Sequence, residues 1–260
     1  MGMAGATRRS LILDAARRDG RVTVDALAAA LGVSAHTVRR DINTLCADAR
    51  LRRLHGGAEY IDPDRNLPYR TRAAMNARAK HAIGRRIAEI VPDGATLFLS
   101  VGTTPAIVAA ALAGKPGLTV ITNNLNAAAA LAESPGARVI LPGGELRLPD
   151  RDLIGPEAAD LFGAYRADFG IYGVGGIERD GTLLDFHEAE VRIRERIRQN
   201  SRRAVLVADH SKFGRHAPAL GGRLCDAGLA VLDRLPPPPF AALLEGFAGR
   251  LVLAGETADA

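Results

Sequence analysis

Apolar residues in the first fifty positions recur with helical spacing. From Arg8 to Arg18, Ile12, Ala15 and Ala16 share one side, and the period stops at Asp19-Gly20. A short extended piece, Arg21-Val22, leads to Thr23, a suitable N-cap for a second helix. Val24, Leu27, Ala28 and Leu31 then fall at i, i+3, i+4 and i+7, one buried stripe. Gly32 supplies the turn, because a tight helix exit needs a residue that tolerates positive φ. Ser34 caps a third helix in which Val38, Ile42 and Leu45 repeat the stripe, leaving His36, Thr37, Arg39, Arg40 and Asn43 outside. Two short extended pieces follow around Gly56-Gly57, residues 51–60, with Arg52, Arg53 and His55 exposed.

From residue 61 to 74 the pattern disappears. Two prolines and mixed charges without an apolar period predict a linker. A helix over about Met75 to Val91 follows, with Ile83, Ile87 and Ile90 inward. Short β-type runs then alternate with helical ones. The predicted strands are 96–100, 119–122, 137–141, 168–173, 203–207, 229–232 and 250–253. The predicted helices are 105–113, 125–133, 156–162, 186–199 and 239–247, the last led by the proline run 236–239. Such alternation implies an α/β body, a mostly parallel sheet with flanking helices. The expected domains are a winged helix-turn-helix over 1–60, the linker 61–74, and the body 75–260.

Composition narrows the class. The chain of 260 residues is 47% hydrophobic, which excludes disorder, and no apolar run reaches the ~20 residues of a membrane-spanning helix. Arg8, Arg9 and Asp14 interrupt what would be the apolar core of a signal peptide, so a cytoplasmic location is expected. Cys46 and Cys225 stand alone, without the spacing of a disulfide framework or a zinc site. Charge is uneven. Residues 1–86 hold 17 Lys+Arg against 8 Asp+Glu, whereas the remainder is mildly acidic. A basic head on a mildly acidic body points to a polyanion partner.

The first sixty residues therefore read as a helix-turn-helix whose second member, residues 34–45, enters the major groove, with a basic wing behind it. A plain three-helix bundle with solvated arginines is the competing reading. It does not account for the order of cap, turn glycine, Arg pair and basic wing. The expected contacts to operator DNA are Ser34, His36, Thr37, Arg39, Arg40, Asn43, Arg52, Arg53 and His55. Asp41 is expected to orient Arg40 or to cap a neighbouring element, since a carboxylate facing phosphates repels them.

In a parallel sheet the ligand site lies beyond the carboxyl ends of the strands. Five polar loops fall there. The first offers Gly102, Thr103 and Thr104 at a helix start, where free N–H groups favour phosphate. The others carry Asn123 and Asn124, Gly143 and Gly144, "GVGGIERDG", and "ADHSKFG" with Lys212. Each alone is an ordinary turn; together they suit a small phosphorylated ligand. Glu188, near a helix start, is a candidate acceptor for ligand hydroxyls, although Glu188 and Arg192 also form a surface i,i+4 pair. Rival motifs fail: "ALAGKP" lacks the first glycine of a phosphate loop, and "GVGGIE" lacks the last glycine of a dinucleotide fingerprint. His187, His210 and His216 have no metal-type spacing, so neither metal nor cofactor is expected. An isomerase would need a positioned carboxylate, and "YGVGG" supplies none, so no enzymatic activity is expected.

"SAHTVRRDI" (34–42) and "LRRLHGGA" (51–58) resemble the recognition helix and wing of the DeoR family of bacterial transcription regulators. "GTT", "TNNLN", "PGGELR", "DFHEAEV" and "DHSKFGR" resemble that family's effector domain. The resemblance implies a repressor with a body similar in fold to sugar-phosphate isomerases. It also implies a phosphorylated effector, glycerol 3-phosphate or another sugar or polyol phosphate, and assembly as a homodimer or homotetramer. One position departs. Ser100 stands where the family commonly has Asp, which removes a charge facing the effector and makes Ser100 a further candidate contact.

Overall fold

The computed structural model describes residues 4–47, 50–62, 66–247 and 250–255. Contacts divide the chain into two compact units, residues 1–65 and 66–260.

The first unit begins with α1 (Gly5–Asp19), β1 (Arg21–Thr23) and α2 (Val24–Leu31). Then come α3 (Ala35–Ala47), β2 (Leu51–Leu54) and β3 (Gly57–Tyr60). The Thr23 side chain accepts from the Ala26 N–H at 3.3 Å to start α2, and Gly32 ends it in the left-handed region. Ile12, Ala16, Val24, Leu27, Val38, Ile42, Leu45 and Leu51 form its core, which is the periodic stripe of the sequence. The wing strands β2 and β3 are antiparallel, and β1 adds a third strand on the far side of β3. Gly57 is required there: a Cβ would stand 2.1 Å from the Val22 carbonyl oxygen.

The second unit opens with α4 (Tyr69–Ala74) and α5 (Ala77–Ile90), then β4 (Thr96–Leu99), α6 (Thr103–Leu112), β5 (Thr119–Thr122), α7 (Leu125–Ala130) and β6 (Arg138–Ile140). A hairpin of β7 (Glu145–Arg147) and β8 (Asp152–Ile154) leads to α8 (Pro156–Ala164) and β9 (Ala167–Tyr172). Next are β10 (Gly176–Ile177), β11 (Thr182–Asp185), α9 (Glu188–Gln199), β12 (Ser201–Ala208), β13 (Ala219–Arg223), β14 (Leu229–Leu232) and β15 (Leu251–Leu253).

Seven of these strands, in the order β15-β14-β12-β9-β4-β5-β6, form one sheet that is parallel throughout. Helices cover both faces. Ile83, Ile87, Val108 and Leu112 pack with Leu97 and Leu99 on one, and Phe162, Ile193 and Ile197 with Phe98 and Leu206 on the other. The chain enters at β4, winds outward to β6, and returns to β9 on the other side of β4. That reversal leaves a crevice at the carboxyl ends of β4 and β9, where open α/β sheets bind ligands.

The structure differs from the sequence reading in four places. Residues 69–74, read as linker, are helix α4 of the second unit. The β7–β8 hairpin and the three-stranded sheet β10-β11-β13 were not expected from loop-like sequence. The last segment, Phe240–Phe247, is a 3-10 helix rather than an α-helix.

Candidate functional site

On the first unit, α3 starts as its sequence predicts, with the Thr37 N–H donating to the Ser34 hydroxyl at 3.2 Å and the two hydroxyls 2.9 Å apart. His36, Arg39, Arg40 and Asn43 lie exposed, and both arginine side chains lack a hydrogen-bond or ion-pair partner among the described residues. Asp41 is a correction. It is buried and pairs with Arg8 and with Arg9 (3.7 Å) of α1, so it ties α3 to α1 and does not orient Arg40. In the wing, Arg52 is less available than expected, because it shares Glu59 with Arg21. Those two guanidiniums, Arg52 first, hold the Glu59 carboxyl below the usual range. Arg53 bonds to the neutral Asn43 amide and has no acidic partner among the described residues, while His55 is exposed.

On the second unit, one cavity of about 60 Å³ opens at the β4–β9 crevice. One water needs ~10–15 Å³ on this measure, so several ligand atoms fit before the walls move. Ser100, Gly102, Thr103, Thr104 and Lys212 are brought together in its lining. Gly102 turns into α6 with φ +111°, a value L side chains rarely adopt. No side chain caps that helix among the described residues, and Thr103 and Thr104 of its first turn line the cavity, so its free first N–H groups lie at the cavity wall. The Ser100 hydroxyl donates to the Val101 carbonyl (3.1 Å) and accepts from the Gly173 N–H (3.2 Å), bridging the two sides of the crevice.

The other expected contacts lie elsewhere. Asn124 is 1% exposed and serves the fold: its amide donates to the carbonyls of Ser100 and Gly102 (both 3.1 Å) and its oxygen caps α7. Asn123, also buried, donates to the Leu153 carbonyl at 2.9 Å. Gly143 and Gly144 shape the turn into β7 without lining the cavity. Glu188 points to solvent and pairs with Arg192 at 2.6 Å, the surface i,i+4 arrangement.

Residues that sequence reasoning missed complete the walls: Arg72, Arg147, Asp150, Asp152, Asp185, Glu190, Arg194 and Arg215. Arg147 grips Asp152 with both arms (2.9 and 2.5 Å) and reaches Glu190 at 2.5 Å. Arg72 pairs with Asp150, and buried Arg194 with Asp185. The only available signal was local: "ELRLPDRD" and "DFHEAEVRIR" alternate acid and base, as networks do and as solvated faces do. The Lys212 ammonium makes no hydrogen bond or ion pair among the described residues. Burial, and next to it Arg215, push its ammonium down to about 7, against the attraction of Asp209. The cavity thus holds an unpaired amine, an open helix start and two threonine hydroxyls, a set that suits a compact phosphate ester. Among the described residues no group of three or more His, Cys, Asp or Glu side chains is placed to hold a metal ion.

Comparison with known proteins adds to this geometry. Residues 8–64 match the DeoR-like helix-turn-helix domain, and residues 75–234 match the DeoR C terminal sensor domain. The chain is 41% identical over 230 residues to the glycerol-3-phosphate regulon repressor of Escherichia coli K12, covering 88% of this chain and 91% of that protein. The protein of the same name in Haemophilus influenzae is 39% identical, over 90% and 91% of the two chains. The HTH-type transcriptional repressor CsqR of E. coli K12 is 34% identical over 98% of each. Among solved structures, ribose 5 phosphate isomerase A from Neisseria gonorrhoeae is similar with a TM-score of 0.36, at 16% identity over 52% of each chain.

Proposed function

The chain belongs to the DeoR family of transcription regulators, and from that premise we propose a repressor relieved by glycerol 3-phosphate. The winged helix-turn-helix holds operator DNA, and the sensor unit weakens that hold when it binds the effector. The observation that carries the reading is the cavity at the β4–β9 crevice, where Lys212 and the uncapped start of α6 converge on one small volume. The names of the similar repressors favour glycerol 3-phosphate within that class. Neutral Ser100 favours a second reading, another polyol or sugar phosphate, because a missing carboxylate relaxes the match to ligand hydroxyls. The coupling is of the usual allosteric size, ~1–3 kcal/mol or ~5–150-fold in operator affinity. No helix among the described residues is long and apolar enough to cross a membrane, and action on DNA fits a cytoplasmic protein.

A thermal-shift panel of sugar and polyol phosphates tests the effector. A ligand at 100 times its dissociation constant adds ~2.7 kcal/mol of stability, and glycerol 3-phosphate is expected to lead the panel. No response to any phosphate ester would defeat the reading. On the DNA side, Arg39→Ala or Arg40→Ala is expected to cost ~1–3 kcal/mol and to relax specificity at one base pair. Arg53→Ala is expected to weaken all sequences evenly and reduce the salt slope. Unchanged operator titrations for both helix variants at fixed salt would remove α3 from the interface.

A single recognition helix reads too few base pairs for a unique operator, and such repressors address two half-sites through symmetry. A homodimer or homotetramer is therefore part of the proposal. Sedimentation at micromolar concentration that shows only the 27.4 kDa species, with and without DNA, would refute it.

A further inference from the structure

The stretch of chain that enters the sensor unit, Asn66 to Ala74, supplies two groups to the effector cavity that the sequence reading assigned to a linker. Asn66 lines the cavity, and its side-chain oxygen is buried with no hydrogen-bond partner among the described residues. An unpaired buried amide oxygen costs free energy unless a donor comes to it. A phosphate dianion carries no donor; a polyol hydroxyl does. Arg72 lies on α4, three-quarters or more buried, with its Nε donating to the Leu67 carbonyl at 2.9 Å and a terminal nitrogen paired with Asp150. It lines the cavity within electrostatic reach of both Lys212 and Arg147. Its carboxylate partner is shared, since Arg147 also approaches Asp150 at 3.7 Å. Arg72 can therefore turn to a phosphate without leaving Asp150 bare. Buried Lys80 of α5 clasps the end of α4 through the carbonyls of Arg72 and Met75 (2.7 Å for the second), so this segment is held in place rather than loosely attached.

We propose that Asn66 and Arg72 are effector ligands, Asn66 accepting a hydrogen bond from a polyol hydroxyl and Arg72 donating to the phosphate. The entry segment is then part of the effector site. This rests on the reading of a phosphorylated polyol as effector and adds to it the residues that discriminate its two ends.

Calorimetric titration of the full chain with glycerol 3-phosphate and, separately, with inorganic phosphate tests the assignment. Asn66→Ala is expected to weaken glycerol 3-phosphate ~3–10-fold, the equivalent of one neutral hydrogen bond, and to leave inorganic phosphate unchanged. Arg72→Gln is expected to weaken both compounds by ~10–100-fold, as for a charge-assisted bond. Melting temperatures report whether each variant folds; if Arg72→Gln does not, Arg72→Lys keeps the charge without the planar fork and is expected to show a smaller loss of both. Wild-type affinities in the Asn66→Ala protein, or equal losses for the two compounds, would overturn the role of Asn66. Unchanged phosphate affinity in a folded Arg72 variant would overturn that of Arg72. A wild-type protein that binds neither compound would instead sink the effector class itself, and this assignment with it.

Discussion

Asp185→Ala is expected to destabilise the sensor unit by ~3–5 kcal/mol, the cost of leaving one member of a buried ion pair without its partner. Arg194 is 2% exposed. Its guanidinium pairs with Asp185 and donates to the Gly221 carbonyl at 2.5 Å, while its Nε has no partner among the described residues. Removal of the carboxylate strands that charge, and it also removes one of the two acceptors of the Gly175 N–H, which bonds Asp185 at 2.7 Å and the Leu184 carbonyl at 2.8 Å. The intact pair is not itself a large source of stability. Burial pushes the Asp185 carboxyl up to about 6, against the pull of Arg194, so desolvation outweighs attraction. The sign of the pH dependence follows. Between the ordinary value of 3.8 and about 6 the folded state holds a proton that the unfolded chain has released. Stability from this group is therefore lost as pH rises through that window, the reverse of an ordinary paired carboxylate. Urea melts at pH ~4 and pH ~6.5, which bracket that window, should show the stability gap between wild type and Asp185→Ala shrinking as pH rises. Asp185→Leu combined with Arg194→Met is expected to recover most of the loss, since an apolar pair replaces a buried ionic one at little cost. A single variant within ~1 kcal/mol of wild type would show that Arg194 finds other partners.

Lys212→Ala is expected to weaken glycerol 3-phosphate by ~1.5–3 kcal/mol, or ~10–150-fold, while leaving operator affinity without effector unchanged. In a cell this is a repressor that resists induction. The ammonium is held near about 7 by burial and by Arg215, so a fraction of free protein is uncharged at neutral pH. A bound phosphate dianion stabilises the charged form and raises that value, so binding takes up protons above pH ~7. Effector affinity should then rise as pH falls from ~9 to ~7 and level off below, turning over near ~6 where the phosphate loses its second charge. Titrations in buffers of different ionisation enthalpy count the protons. The Lys212→Ala protein should bind weakly and without that uptake. A lysine that only supports the fold predicts a lower melting temperature with an unchanged release curve, which would exclude Lys212 from the site.

The winged head was largely legible before folding, because its signals are local. Thr23 and Ser34 cap helices within a few residues of themselves, Gly32 ends one, and the stripe Val38, Ile42, Leu45 needs only the period of a helix. What escaped was Asp41, whose partners Arg8 and Arg9 lie a full helix away in the chain. The seven strands of the sensor sheet were legible for a related reason. A parallel strand is covered on both faces and so reads as an unbroken apolar run, as in "TLFL" and "TVIT". The crevice followed from strand order, which the sequence does not state, although the polar loops after β4, β9 and β12 announced their places.

The rest of the site was decided by packing. Asn123 and Asn124 end a strand and look like ligand contacts, but both are buried and their amides satisfy backbone carbonyls, Asn123 that of Leu153 and Asn124 those of Ser100 and Gly102. Glu188 and Glu190 are two positions apart, hence on opposite sides of α9. Which side faces the cavity depends on how Ile193 and Ile197 seat the helix against the sheet, and it is Glu190 that faces in. Asn66, Arg72, Arg147 and Asp150 sit in segments without apolar period, where sequence alone cannot tell a solvated charge from a cavity wall. What the sequence by itself determined was the wing, the recognition helix, the parallel sheet, and the Gly102–Thr104 turn with Lys212, all set by short-range period and turn chemistry. Only the tertiary structure decided which charges meet, because ion pairs between residues as far apart as Arg72 and Asp150 exist only once the sheet has brought their loops to one rim.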